Sequence, residues 1–251
     1  MIELKNINGG YGKKQVLFDI NETMLGGEIT SIVGPNGCGK STLLETASGL
    51  MKPFNGKVLV NGEDVHEMKG KKRAGIISVL SQQKNPGTLT VRALVFHGRF
   101  PYLGYPRKYT EKDFEIVESA MKTAGVYDIA DQSLSSLSGG QQQKAYIAMI
   151  LAQDTEVVFL DEPVTFLDIN YQLELMEMIK QMKEKKKTVV MIIHDLNLAM
   201  TCSDRIIAMN KGRVVCSGKP EEIYEKNIFD DISGIKTHYS NSEKQFFFSR
   251  P

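Results

Sequence analysis

Cysteine, net charge and long apolar runs are all scarce in this chain, and each scarcity excludes something. The three cysteines, Cys38, Cys202 and Cys216, are an odd number with no CxxC pair. A disulfide framework and a cysteine-rich zinc site are excluded, and the thiols read as reduced ones in a cytosolic protein. Lys and Arg number 31 against 30 Asp and Glu, a formal net charge of +1. Nothing global therefore argues for nucleic acid or a polyanionic substrate as partner. Apolar runs such as Val157–Leu160 and Val189–Ile193 are core-strand length, far short of the roughly 20 residues that cross a bilayer. Residues 1–9 are acidic and polar where a signal peptide would need an apolar stretch, so no such leader is expected. Repeats, low-complexity tracts and flexible linkers are missing too. If the protein serves a membrane process, another chain must supply the membrane part.

What is present suits one large domain, or a core with a sizeable insertion. The 251 residues are 41% hydrophobic and 24% charged, enough to bury a substantial core. Short apolar runs alternate with helical segments, the pattern of an α/β protein. Strands are expected at Ile29–Val33, Val58–Val60, Ile76–Leu80, Val157–Leu160 and Thr188–Ile193. Asn61-Gly62 reads as a tight turn, and residues 40–49 as a helix. From about residue 86 to 153 the character turns helical. There Thr110-Glu111-Lys112-Asp113 has capping-box form ahead of Phe114, Val117, Met121 and Ala124 at helical spacing. A later helix carries the apolar stripe Ile169, Leu173, Met176 and Ile179, and the cations of Lys183–Lys187 end it facing water.

The strongest motif is Gly34-Pro35-Asn36-Gly37-Cys38-Gly39-Lys40-Ser41, which fits G-x-x-x-x-G-K-[ST] between a strand and a helix. Its glycines let backbone N–H groups converge on phosphate oxygens, and the helix start adds a favourable dipole. Lys40 places a charge against the β- and γ-phosphates, and Ser41 offers a hydroxyl to Mg²⁺. Cys38, beside those N–H groups and Lys40, is expected to favour the reactive thiolate.

A second apolar strand ends in two acids, Asp161 and Glu162. The C-terminal end of a buried strand is where an α/β sheet places its chemistry. Asp161 suits Mg²⁺, and Glu162 suits polarising the attacking water. His194 follows a third strand and is a candidate γ-phosphate contact. Leu137-Ser138-Gly139-Gly140-Gln141, at a helix start, offers free N–H groups to an anion that is not supplied by its own loop.

Together these residues resemble the ATP-binding cassette (ABC) family, and the likeness runs from Ile2 to about Ile223. Residues 34–42, through Thr42, look like its Walker A motif, and 137–141 like its signature. Residues 157–163 look like Walker B, Leu167-Asp168 like the D-loop and His194 like the switch histidine. The resemblance implies a P-loop ATPase core, α/β, with an antiparallel β subdomain and a helical insertion subdomain. It implies that Tyr11 stacks on adenine and that ATP and Mg²⁺ are the cofactors. A Q-loop glutamine follows the strand ending at Leu80; Gln82 and Gln83 are adjacent, and the register Leu80-Ser81-Gln82 selects Gln82, which also approaches the metal. Cassettes of this family pair head to tail, so Ser138, Gly139, Gly140, Gln141 and Asp168 would meet a nucleotide held by a second copy. Gln142 and Lys144 depart from the arginines common there, as does Val164 from the usual Ser or Thr.

Three strings, Gly98–Tyr102, Thr165–Ile169 and His194–Ala199, look like those of importers for siderophores, haem and cobalamin. That likeness implies a membrane permease and an extracytoplasmic substrate-binding protein as partners, with this chain peripheral on the cytoplasmic face. A cassette ATPase without a permease, acting in cluster assembly, translation or DNA repair, is the alternative. An ordinary P-loop kinase or GTPase would leave 137–141 without a purpose. The expected organisation is a nucleotide-binding domain at 1–225, with the insertion at about 86–153, and a tail at 226–251.

Overall fold

A computed structural model describes residues 1–81, 87–165, 167–240 and 245–249. Their contacts divide the chain into two compact units, Met1–Met68 with Thr188–Pro251, and Lys69–Lys187.

The first unit opens with β1 (Ile2–Tyr11) and β2 (Lys14–Met24), an antiparallel pair in which Ile2 faces Met24 and Tyr11 faces Lys14. Register shifts interrupt the ladder between Leu4 and Gly10, and the φ of Asn6 and Asp19 is positive. These bulges break the strict alternation by which a strand announces itself in sequence. β3 (Ile29–Val33) is buried at every position and leads into α1 (Lys40–Ala47). Gly49, with φ of +79°, stops that helix, its N–H donating to the Thr46 carbonyl. β4 (Asn55–Val60) and β5 (Glu63–Asp64) complete a sheet of order β2-β1-β4-β5. Asn61 and Gly62, both at positive φ, make the expected tight turn between them.

The second unit contains α2 (Gly70–Ile76) and β6 (Ile77–Leu80), so the expected strand begins one residue late because Ile76 closes a helix. α3 (Val91–His97), α4 (Glu111–Thr123) and α5 (Gly139–Gln153) follow, with short 3-10 turns between them. Thr110 and Asp113 form the expected capping box on α4. β7 (Val157–Asp161) pairs parallel with β6, Leu80 opposite Leu160. α6 (Ile169–Glu184) corrects the expected stripe. Ile169 is 65% and Leu173 58% exposed, and the buried face is Leu175, Met176, Met178, Ile179 and Met182. Only the C-terminal part of this helix lies against the core. The lysines beyond it are not uniformly solvated either, since Lys187 binds Asp154 and the Thr155 carbonyl, both at 2.7 Å.

The chain then returns to the first unit. β8 (Thr188–Ile192), α7 (Leu196–Cys202), β9 (Arg205–Asn210) and β10 (Arg213–Gly218) come in that order. β3 lies parallel between β8 and β9, and β10 runs antiparallel to β9. α8 (Pro220–Glu225), α9 (Ile228–Ser233) and the hairpin β11 (Lys236–Ser240) and β12 (Gln245–Ser249) close the chain. Aromatic contacts of Tyr224 with Phe246, and of Phe229 with Phe248, hold the hairpin to α8 and α9. Phe246 and Phe248 thus pack inward, while Phe247 between them is exposed.

Candidate functional site

β3, flanked on both sides by parallel strands, delivers the chain into the glycine-rich loop. Gly34, Gly37 and Gly39 have φ of +150°, +75° and +104°, a region where a side chain is strained. At Gly34 a Cβ would also lie 2.2 Å from the Met209 carbonyl oxygen, so the end of β9 backs the loop. α1 begins after Gly39 with no side-chain cap, which leaves its first N–H groups for an anion. Lys40 is 6% exposed. Its ammonium folds across the loop and donates to the carbonyls of Gly34 at 2.8 Å and Pro35 at 3.1 Å.

Cys38 corrects the sequence expectation. It is 4% exposed, and burial pushes its thiol up, outweighing the lowering by the Lys40 ammonium and nearby backbone N–H groups. The residue packs as a neutral thiol, with its carbonyl accepting from the Gly212 N–H at 2.9 Å.

Tyr11 ends β1 beside α1. Its hydroxyl donates to Glu45 at 2.8 Å and lies 3.5 Å from the Thr42 hydroxyl, while the residue is 53% exposed. His194 follows β8, and the pairing of Ile32 with Ile192 brings it to the same sheet end as Gly34. The next residue, Asp195, caps α7 by accepting from the Leu198 N–H at 3.0 Å.

In the second unit, Asp161 is the last residue of β7 and 8% exposed. Glu162 turns out of the strand with φ of +50°. Its carboxylate accepts from the Thr165 hydroxyl at 3.2 Å. Asp168 caps α6 through the Tyr171 N–H at 3.0 Å. Ser138 caps α5 in a reciprocal box with Gln141, the two bonds measuring 3.3 and 3.1 Å. Gly139 and Gly140 form the first turn, and a Cβ on Gly140 would touch the Tyr171 ring at 3.4 Å. Lys144 sits over that ring too, 4.3 Å from its centroid, and pairs with Glu174. Gln82, Gln83 and Phe166 lie outside the described residues.

The string Gly98–Tyr102 has a structural job. Arg99 pairs with Asp113 and donates to the Ala152 carbonyl, both at 2.8 Å. Tyr102 lies under the Arg99 guanidinium and donates to the Gln153 carbonyl at 2.6 Å. Sequence reasoning missed a charge signal around it. Between Glu67 and Glu111 there is no acidic residue and there are nine Lys or Arg. Of these, Lys71 and Arg107 line an open cleft of about 530 Å³ with Phe100, Pro101, Leu103 and Tyr105. Global net charge concealed this face. Gly212, Glu45 and Gln143 were also missed, since each acts through a contact distant in sequence or hidden in a helix.

Two residues, one in each unit, carry oxygens of the kind that Mg²⁺ takes. Ser41 in the first turn of α1 carries a hydroxyl and Asp161 at the end of β7 a carboxylate, each a hard oxygen.

The family model described as ABC transporter matches residues 17–165. The ferric enterobactin transport ATP-binding protein FepC of Escherichia coli (strain K12) is 42% identical over 229 residues, 90% of this chain and 84% of that protein. The petrobactin import ATP-binding protein FpuD of Bacillus anthracis is 39% identical over 241 residues, 95% and 88% of the two chains. Among solved structures, a dimeric bacterial ABC transporter cassette aligns with a TM-score of 0.79 and 31% identity, covering 88% of this chain and 99% of that one.

Proposed function

The chain belongs to the ABC transporter family, and on that premise we propose that it is the ATP-hydrolysing subunit of a membrane importer for an iron complex. One observation carries the reading. Proteins named for ferric enterobactin transport and petrobactin import match nine-tenths or more of the chain at 42% and 39% identity. ATP is the nucleotide, and its hydrolysis to ADP and phosphate is the reaction.

Local geometry and the family resemblance support the roles we assign to the residues. The N–H groups of residues 34–42 and the Lys40 ammonium take the phosphates, Lys40 exchanging loop carbonyls for phosphate oxygens. Tyr11 offers its ring to adenine. Ser41, Asp161 and Gln82 are the residues we assign to Mg²⁺, which would offset negative charge on the phosphates. Glu162 removes the proton from the attacking water, and His194 contacts the γ-phosphate. Ser138, Gly139, Gly140, Gln141 and Asp168 meet the nucleotide of a second copy, so the working unit is a dimer.

Residues 1–225 form the nucleotide-binding domain, with an insertion at about 86–153, and 226–251 form a tail. No described helix is long and apolar enough to cross a membrane, so permease subunits supply the path. An extracytoplasmic binding protein delivers the cargo, and this chain sits peripherally on the cytoplasmic face. The cationic cleft at Lys71 and Arg107 is the face we assign to the permease.

Affinity purification of the tagged chain from detergent-solubilised membranes tests the assembly. A multi-span membrane protein should copurify in stoichiometric amount. Recovery only from the soluble fraction, with ribosomes or assembly proteins, would contradict it.

A further inference from the structure

Within the second unit, one buried side chain joins the signature helix to the loop that carries Glu162. Gln143 lies five residues past Ser138 on α5 and is 7% exposed. Its amide nitrogen donates to the Pro163 carbonyl at 2.6 Å. Proline has no N–H of its own, and a residue preceding proline is ordinarily held extended. Glu162 instead has φ of +50°, a conformation that a non-glycine residue keeps only when its surroundings impose it.

Contacts from two sides act on this loop. On the downstream side, Thr165 donates its N–H to the Glu162 carbonyl at 3.3 Å and its hydroxyl to the carboxylate at 3.2 Å. From α5 the Gln143 amide holds the next carbonyl. A neutral amide serves here because it donates without placing a charge in a buried position. The same α5 turns carry Gly140 and Lys144 against Tyr171, itself in the first turn of α6. The start of α5 therefore packs as one piece with the start of α6 and with the Glu162 loop.

We propose that Gln143 is a positioning residue for Glu162, linking engagement of Ser138–Gln141 by a partner's nucleotide to the hydrolytic base of the same chain. This rests on the reading that Glu162 is the base and that the signature meets a second cassette's ATP. A displacement of α5 changes the pull on the Pro163 carbonyl, and with it the backbone angles that aim the Glu162 carboxylate. Binding of the chain's own ATP, at residues 34–42, does not involve this bond.

The test uses the full chain. Gln143→Met keeps the length of the side chain and removes the donor. Its kcat should fall about 10- to 100-fold, while the KM for ATP stays within about twofold and the Tm drops only by the few degrees that one lost buried hydrogen bond costs. Gln143→Asn keeps the amide but one methylene short, and should show the same kcat-selective loss; it serves if the Met variant fails to fold. In a Glu162→Gln background, Gln143→Met should cause no further loss. Unchanged kcat, equal losses in kcat and ATP binding, or multiplying losses in the double variant would each overturn the proposal. Wild-type turnover in Glu162→Gln alone would overturn the base assignment, and this inference with it.

Discussion

The Gly212 backbone N–H donates to the Cys38 carbonyl at 2.9 Å, so the turn between β9 and β10 braces the middle of the phosphate loop. The Gly212 carbonyl in turn accepts from Phe18 at 2.9 Å, tying in β2. A loop that must present N–H groups in a fixed array gains that rigidity from a turn more than 170 residues further along the chain.

Gly212→Ala should damage both stability and nucleotide binding. The residue has φ of +76°, and its Cβ would lie 1.9 Å from the Val16 carbonyl oxygen. A loss of at least about 2 kcal/mol is expected from strain and displaced backbone. Chemical unfolding and titration with a fluorescent ATP analogue measure the two effects. Wild-type values in both would show that the turn does not brace the loop.

Cys38 should resist alkylation at neutral pH. Burial raises its thiol pKa, so the reactive thiolate forms only at pH above the ordinary thiol range. Cys202 and Cys216 are partly exposed and should label first with a maleimide, as peptide mapping by mass spectrometry would show. Labelling of Cys38 first at neutral pH would contradict this.

How far the sequence disclosed the site depended on how local each signal is. The strand, glycines and Lys40-Ser41 of the phosphate loop lie within thirteen residues and were legible, as was the apolar β7 ending in Asp161. β1 and β2 were not, because bulges at Asn6 and Asp19 break their alternation. Ile169 and Leu173 have core-like identity and spacing, yet burial depends on what faces the helix, which periodicity does not report. The Cys38 expectation counted nearby positive charge and omitted desolvation, the larger effect. Gln143 and Gly212 act through backbone carbonyls of remote segments, for which a sequence carries no periodic sign.

The Arg99–Asp113 pair sets an acid dependence. Burial alone would raise the Asp113 carboxyl, but hydrogen bonds from Thr110 and Arg99 hold it below its ordinary value. A depressed carboxylate stabilises the fold above its unfolded pKa, and that stability is lost as pH falls through the folded one. Asp113→Asn should cost about 3–5 kcal/mol near neutrality by leaving Arg99 buried without its ion partner. The gap from wild type should narrow as pH falls below the ordinary carboxylate range. Urea midpoints across that range would show it, and a constant gap would contradict the linkage.

Uptake tests the central claim, that Glu162-dependent ATP hydrolysis by this chain drives import of an iron complex. The gene would be deleted and restored with wild type or Glu162→Gln, then uptake of radiolabelled ferric siderophores, haem and cobalamin measured. Deletion should abolish uptake of at least one ferric siderophore or haem, and wild type should restore it. Glu162→Gln should not, although ATP still binds to the purified variant. Unchanged uptake of all three cargos on deletion, or full restoration by Glu162→Gln, would contradict the account.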